Sequence, residues 1–332
     1  MAIARRAPRA HRCPPWWRGT TRLEARTARA KGPTIGCLVV ALGAAVSVNP
    51  ANAQTRELTR YGTGAPEAKL MLYYSSTVAF SPLGAPLSAS PYAMAVGTRR
   101  TTPRVEAALE VSYLPRLSVA QRTAGSDKPE STNLAPLFAR PRVAARLPGD
   151  VGLEIGWIPP VRLFDVKANL IAGAVTRSFG DAAGVRVVPR VSFLAGRVEG
   201  PITCNRDTAS SGGLALATYY AFVCYGNDSR DFFEPRHLSG ELLVARALAG
   251  GRIEPYVSAG ARGDRTRFDV GVIRRDGSRD PDNPLLEVRA TRAFGTAGAS
   301  WLGARNTRLA AELYYAPGSA VTVRALAGVR AW

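Results

Sequence analysis

Through residues 105–332, apolar and polar side chains alternate with a period of two. In 105–113 every odd position is apolar, while the even ones carry Glu106, Ala108, Glu110 and Ser112. Val151, Leu153, Ile155 and Trp157 alternate with Gly152, Glu154 and Gly156. Val185, Val187, Val191 and Phe193 oppose Arg186, Arg190 and Ser192, and Leu309, Ala311, Leu313 and Tyr315 oppose Arg308, Ala310 and Glu312. Residues 166–179 alternate less regularly, with Lys167 and Asn169 on one face. Neighbouring side chains of a strand project to opposite sides, so each segment has one wet face and one apolar face. No helical stripe of useful length accompanies them, so the apolar faces must meet another sheet or lipid. The chain is 46% hydrophobic with a mean hydropathy of -0.05, which excludes a helical membrane protein.

Turn signals divide the pattern. Leu147-Pro148-Gly149-Asp150, Ala249-Gly250-Gly251-Arg252 and Ala316-Pro317-Gly318-Ser319 are tight hairpin connections. Longer polar connections lie near 115–139, 200–236 and 275–285. The spacing predicts strands at 69–80, 91–99, 105–114, 140–147, 150–158, 164–178, 185–199, 237–248, 252–274, 286–302, 307–316 and 319–332. Residues 54–104 are the least regular and are read alternatively as an arm or plug. With an even strand number, the short turns 100–104, 148–149, 179–184, 249–251 and 303–306 fall at one end, and the three long loops at the other together with the short connections 159–163 and 316–318. That is the asymmetry of a barrel crossing an outer membrane.

The first 53 residues are read as an export signal. The 14-residue apolar run 35–48 follows basic residues and precedes Ala51-Asn52-Ala53, so cleavage is expected between Ala53 and Gln54. The run is shorter than the ~20 residues that span a bilayer as a helix. Residues 1–53 hold nine Lys or Arg and one acid, so without them the +19 charge drops by eight to +11. The remaining basic residues are dispersed, and no nucleic-acid partner is expected. Two cysteines remain, Cys204 and Cys224, and an even pair in an oxidising compartment predicts one disulfide.

The last residues, Val321-Thr322-Val323-Arg324-Ala325-Leu326-Ala327-Gly328-Val329-Arg330-Ala331-Trp332, run as a strand ending on an aromatic. This resembles the terminal strand that the assembly machinery of Gram-negative outer membranes recognises. Signal, alternation and final strand together resemble the bacterial outer-membrane β-barrel class. The resemblance implies an all-β, antiparallel transmembrane barrel of about 12 strands (10–14) over 54–332. It also implies outer-membrane lipid and the barrel assembly machinery as partners. Tyr113, Trp157, Phe164, Phe179, Trp301, Tyr315 and Trp332 lie near strand ends, where interfacial girdles would place them.

Little in the sequence suggests chemistry. His237 could pair with Ser239 or Asp231 in a hydrolase, but strand spacing does not by itself make a nucleophile–base pair. Asp276, Asp280, Asp282 and Asn283 cluster in one loop without the order of a calcium loop. No enzyme activity, metal or cofactor is expected. Glu110, Glu154, Lys167, Arg186, Arg190, Glu254, Arg289, Glu312 and Arg324 are expected to face the lumen, while Leu109, Val111, Leu153, Ile155 and Leu313 face lipid. The leading function is a porin-like channel or transporter for small solutes. The alternatives are a non-conducting surface binding or structural barrel and a soluble periplasmic β-sandwich binder.

Overall fold

The computed structural model describes residues 58–81, 104–123, 130–131, 135–179, 185–206, 217–218, 220–221, 223–303, 306–319 and 321–331. The expected cleavage site, the 91–99 strand and Trp332 lie outside these residues. The strands are β1 (Leu58–Tyr61), β2 (Arg104–Tyr113), β3 (Leu137–Leu147), β4 (Val151–Ile158), β5 (Arg162–Leu163), β6 (Val166–Arg177), β7 (Val185–Gly200), β8 (Asp231–Arg246), β9 (Ile253–Asp269), β10 (Leu285–Leu302), β11 (Thr307–Tyr315) and β12 (Thr322–Ala331). The helices are α1 (Pro66–Thr77) and, in the β2–β3 loop, α2 (Val119–Arg122).

Ten strands close a barrel in the order β2-β3-β4-β6-β7-β8-β9-β10-β11-β12. Every neighbouring pair is antiparallel, and β12 returns to β2 from Val323↔Tyr113 to Ala331↔Val105. The two short strands stand outside this ring. Parallel β1 pairs β10 at residues 285–288, and β5 pairs β6. Short turns at 148–150, 178–184, 247–252 and 303–306 share one end, and the loops 114–136, 201–230 and 270–284 share the other. In the 148–150 turn, Gly149 and Asp150 both take positive φ, a backbone that Gly, Asn and Asp adopt most readily.

The barrel is apolar outside and charged inside. Leu109, Val111, Leu153, Ile155 and Leu313 are exposed on the outer face, as the alternation predicts. Tyr113, Trp157, Phe164, Phe179, Trp301 and Tyr315 are also exposed near strand ends. Glu106, Glu110, Arg140, Arg142, Arg186, Arg190, Glu254, Glu312 and Arg324 are buried on the inner face. A closed ring with this polarity presents apolar side chains to its surroundings, which suits lipid rather than water.

One expected strand is a helix. Residues 69–80 belong to α1 and its exit, and they lie inside the barrel. Their near-continuous apolar run fits either structure by periodicity, because a helix buried on all sides loses its stripe. The deciding local signals are Pro66 at the first helical positions and Glu67 in the first turn. Residues 66–81 therefore form a plug.

In a background lacking Cys204 and Cys224, Ile155→Cys and Leu313→Cys should resist a charged thiol reagent and be quenched by lipid-borne probes. Glu312→Cys should respond to neither, because the plug occupies that level of the lumen. Reaction of position 312 with the charged reagent would contradict the filled lumen.

Candidate functional site

The plug is held by the wall through its backbone. The last carbonyls of a helix have no partner within it. At the end of α1 the Tyr74 and Ser76 carbonyls take the Val78 and Ala79 amides, while the wall residue Arg292 donates to the Leu72 carbonyl within the helix at 3.0 Å. Past the helix end, Arg140 donates to the carbonyl of Val78 at 2.8 Å, Arg324 to Ala79 at 3.0 Å and Ser192 to Phe80 at 3.2 Å. Arg142 reaches the Ser81 carbonyl at 3.4 Å. Cations at the negative end of a helix dipole also gain electrostatically. On the loop side, Ala68, Met71 and Leu72 pack against Ile202, Phe233, Phe268, Val270, Leu286 and Val288.

Paired ions fill the lumen beside and below the plug. Glu110 accepts from Arg140 at 3.3 Å and from Arg142 at 2.8 Å, and Arg142 also bridges Glu154. Arg190 pairs Glu241 at 2.8 Å, and Arg324 pairs Glu312 at 3.5 Å. Nearer the turn end, Glu106 takes Arg308 at 2.8 Å and Arg330 at 3.0 Å, and Arg186 pairs Glu254. Phe80 lies under the guanidinium groups of Arg140 and Arg142, 5.2 and 4.6 Å from its ring centre. Burying a charge costs several kcal/mol unless a partner and hydrogen bonds offset it. Seven of the nine residues expected to face the lumen do so. Lys167 and Arg289 are corrections: both are exposed on the outer face near the loop end, on the same parity as Ile171 and Ala293.

Among the described residues, the wall ladder is open between β3 and β4, and residues 289–294 of β10 also lack a partner on the β11 side. The β3–β4 ladder ends at Arg142↔Gly156, although β2 pairs β3 as far as Leu137 and β4 pairs β6 as far as Ile158. Residues 137–141 thus lack a ladder partner on the β4 side. Prolines explain why. Pro141 lies on one edge and Pro159 and Pro160 on the other, and none can donate a ladder hydrogen bond. An inner apolar cavity of about 80 Å³ lies beside the plug, lined by Tyr74, Thr77, Val78, Leu170 and Phe233 among others. An outer apolar groove of about 260 Å³ includes Leu109, Leu137 and Pro141. The two share Ala135, Phe138, Ile158, Val166 and Ala168, so they meet at the seam.

The candidate chemistry of the sequence is used structurally. His237 meets neither Ser239 nor Asp231. Its Nε2 lies 2.7 Å from Ser75 Oγ of the plug and 3.5 Å from Asp264 Oδ1. The carboxylate and the hydroxyl approach the same ring nitrogen, whereas a hydrolytic triad places them on opposite nitrogens. Asp264 is further committed to Arg262 at 2.9 Å and Arg292 at 3.0 Å. Ser239 bonds Ser192 at 2.6 Å, and Asp231 accepts from Ser229 and from the Thr203 and Gly271 amides, joining two loops. Asp276 accepts from Ser278, which holds its carboxyl below the usual range, and Asp280 pairs Arg274 at 3.0 Å and accepts the Asp282 amide. Asn283 donates to the Val272 carbonyl at 3.1 Å. Cys204 and Cys224 form the expected disulfide in the 201–230 loop, where they pack with Tyr220 and Val272.

The sequence matches no family model and no curated protein. Solved structures resembling it are outer-membrane barrels. The attachment invasion locus protein Ail of Yersinia pestis is 10% identical, covering 69% of this chain and 97% of that one, with a TM-score of 0.26. The Ralstonia pickettii toluene transporter TbuX is 9% identical, covering 77% and 97%, at 0.30. The β domain of the Bordetella autotransporter BrkA is 11% identical, covering 68% and 96%, at 0.30. Scores this low carry no weight for mechanism, and the barrel rests on its own strand register.

Arg140 ties Glu110, Val78 and Phe80 together, so its removal takes one of two arginines from a buried carboxylate and leaves the Val78 carbonyl past the helix end without its donor. Arg140→Ala should destabilise the lipid-reconstituted protein by about 3 kcal/mol. Urea unfolding followed by Trp fluorescence measures it, and a loss below ~0.5 kcal/mol, the range of a neutral surface change, would contradict the network. Arg140→Met with Glu110→Gln should cost less than the sum of the single changes, because the two groups are coupled.

Proposed function

We propose that the protein is an outer-membrane barrel that admits small apolar molecules at its loop end and releases them sideways into the bilayer. The observation that carries this is the apolar seam between β3 and β4, where the inner cavity and the outer groove share five residues. The axial route is occupied by α1 and by buried ion pairs. A charged solute crossing there would have to displace pairs that offset large desolvation costs. An apolar solute leaving through the seam meets side chains of its own kind and enters lipid directly. Location in the outer membrane is supported by the apolar exterior, the exposed aromatics near strand ends and the loop asymmetry. The assembly machinery of that membrane is the partner expected for the terminal strand β12.

A second reading has its own observation. The 201–230 loop is cross-linked at Cys204–Cys224 and packs Ile202 against the plug, which suits a surface binding barrel that passes nothing.

The two readings differ in transport. In proteoliposomes, the intact protein should accelerate entry of a small apolar fluorophore but not of a charged analogue. Ala168→Trp, which fills the shared edge, should slow that entry about tenfold, equivalent to ~1.4 kcal/mol on the barrier. Rates equal to those of protein-free vesicles would leave the surface-binding reading.

A further inference from the structure

The outer face carries an arginine row that its nearby carboxylates, Glu287 and the Arg197-paired Glu234, neutralise only in part. Register places Arg236 of β8 opposite Arg265 of β9, and Arg265 opposite Arg289 of β10. Like charges directly opposite across a sheet are destabilising. One row nearer the loops, Glu287 is the carboxylate they surround. Arg265 and Arg267 donate to its Oε2 at 3.0 Å, Arg289 donates to its Oε1 at 2.9 Å, and Arg60 of β1 lies 3.6 Å away. Four guanidinium groups thus share one buried carboxylate. The three hydrogen-bonding arginines all use Nε for it. Among the described residues, their terminal amino groups have no acceptor. Arg236, exposed beside them, has no acidic partner there. The result is an outward-facing set of fork-shaped donors with a surplus of positive charge.

Their height on the barrel is set by β8. Its outward positions run Arg236, Leu238, Gly240, Leu242, Val244, Arg246. Ten residues at ~3.3 Å each, tilted by ~40°, give a band of about 25 Å between the two arginines, which matches a barrel's apolar belt. Arg246 is at the turn end, so the Arg236–Arg265–Arg289 row lies on the boundary at the loop end. A cation row at that level faces lipid headgroups rather than acyl chains or bulk water.

We propose that Arg236, Arg265 and Arg289, with Arg60 and Arg267, bind the phosphate groups of a phosphorylated lipid in the outer leaflet. This rests on the membrane reading of the barrel. Guanidinium forks match phosphate oxygens two at a time, so free donors on adjacent strands can clasp one headgroup. The bound anion also supplies the charge that the row lacks, and this favours the sheet edge where β1 joins β10. The adjacent Leu238, exposed below the row, offers the acyl chains an apolar surface.

The test uses the full-length protein in nanodiscs made with a bisphosphorylated glucosamine-based lipid, its dephosphorylated form, or zwitterionic lipid alone. Native mass spectrometry counts the lipid retained. The wild type should keep the phosphorylated lipid and lose the dephosphorylated one. Arg236→Gln/Arg265→Gln/Arg289→Gln should retain it at least about tenfold less, while Arg246→Gln at the other boundary should match the wild type. Equal retention of both lipid forms by the wild type overturns the proposal without reference to any variant. Equal retention by wild type and triple variant also overturns it. So does displacement of the lipid by equimolar inorganic phosphate, which would mean a simple anion site. Failure of the wild type to enter nanodiscs overturns the membrane reading as well, which separates the two failures.

Discussion

Arginines of the barrel wall hold carbonyl oxygens of the plug, and the rest of the lumen is organised around that contact. A ring of ten strands encloses more space than its inward side chains fill, since about eight strands is the size that side chains alone can pack. The space must hold water, ligand or another part of the chain. Here α1 enters from the loop end, and the carbonyls of Val78 to Ser81 meet Arg140, Arg324, Ser192 and Arg142. The same guanidinium groups serve Glu110 and Glu312, so one set of cations satisfies both the helix end and the wall's carboxylates. Removing either the plug or the acids would leave buried charge without a partner.

The ladder of the wall is itself incomplete between β3 and β4. Three prolines flank the β3–β4 edge, and the ladder stops where they begin. The unpaired backbone there is lined by apolar side chains on both its inner and outer sides. The β9–β10 ladder, by contrast, runs unbroken from Leu285↔Asp269 to Trp301↔Ile253. In the proposed reading, polarity sorts solutes by route, with a charged, filled axis for ions and an apolar gap for small apolar molecules.

The alternation in the sequence carried most of the barrel. Glu110, Glu154 and Glu312 point inward and Ile155 and Leu313 outward because a pleated strand allows nothing else. Lys167 and Arg289 show where that reasoning stops. Their charge alone reads as inward, but above the apolar belt the outer face is polar too, so charge no longer marks the lumen there. Residues 260–268 hid Arg262 and Asp264 for the same reason, with charges on both parities. Periodicity does not reveal the plug as a helix, because Leu70, Met71, Leu72, Tyr73 and Tyr74 are continuously apolar and enclosure by the barrel removes the stripe that would identify them. Ser75 and His237 lie 162 residues apart, and no local pattern could pair them. The seam was visible as Pro141, Pro159 and Pro160, but only the register shows them facing one edge.

The central claim is that the axis of the barrel is closed by a plug locked to the wall. Conductance of the intact protein in planar bilayers tests it most directly. A locked plug with Arg140, Arg190 and Arg324 buried in ion pairs should give no stable ionic current at low applied voltage. A steady, ohmic current from single inserted barrels would show that water and ions pass along the axis, and it would contradict the account.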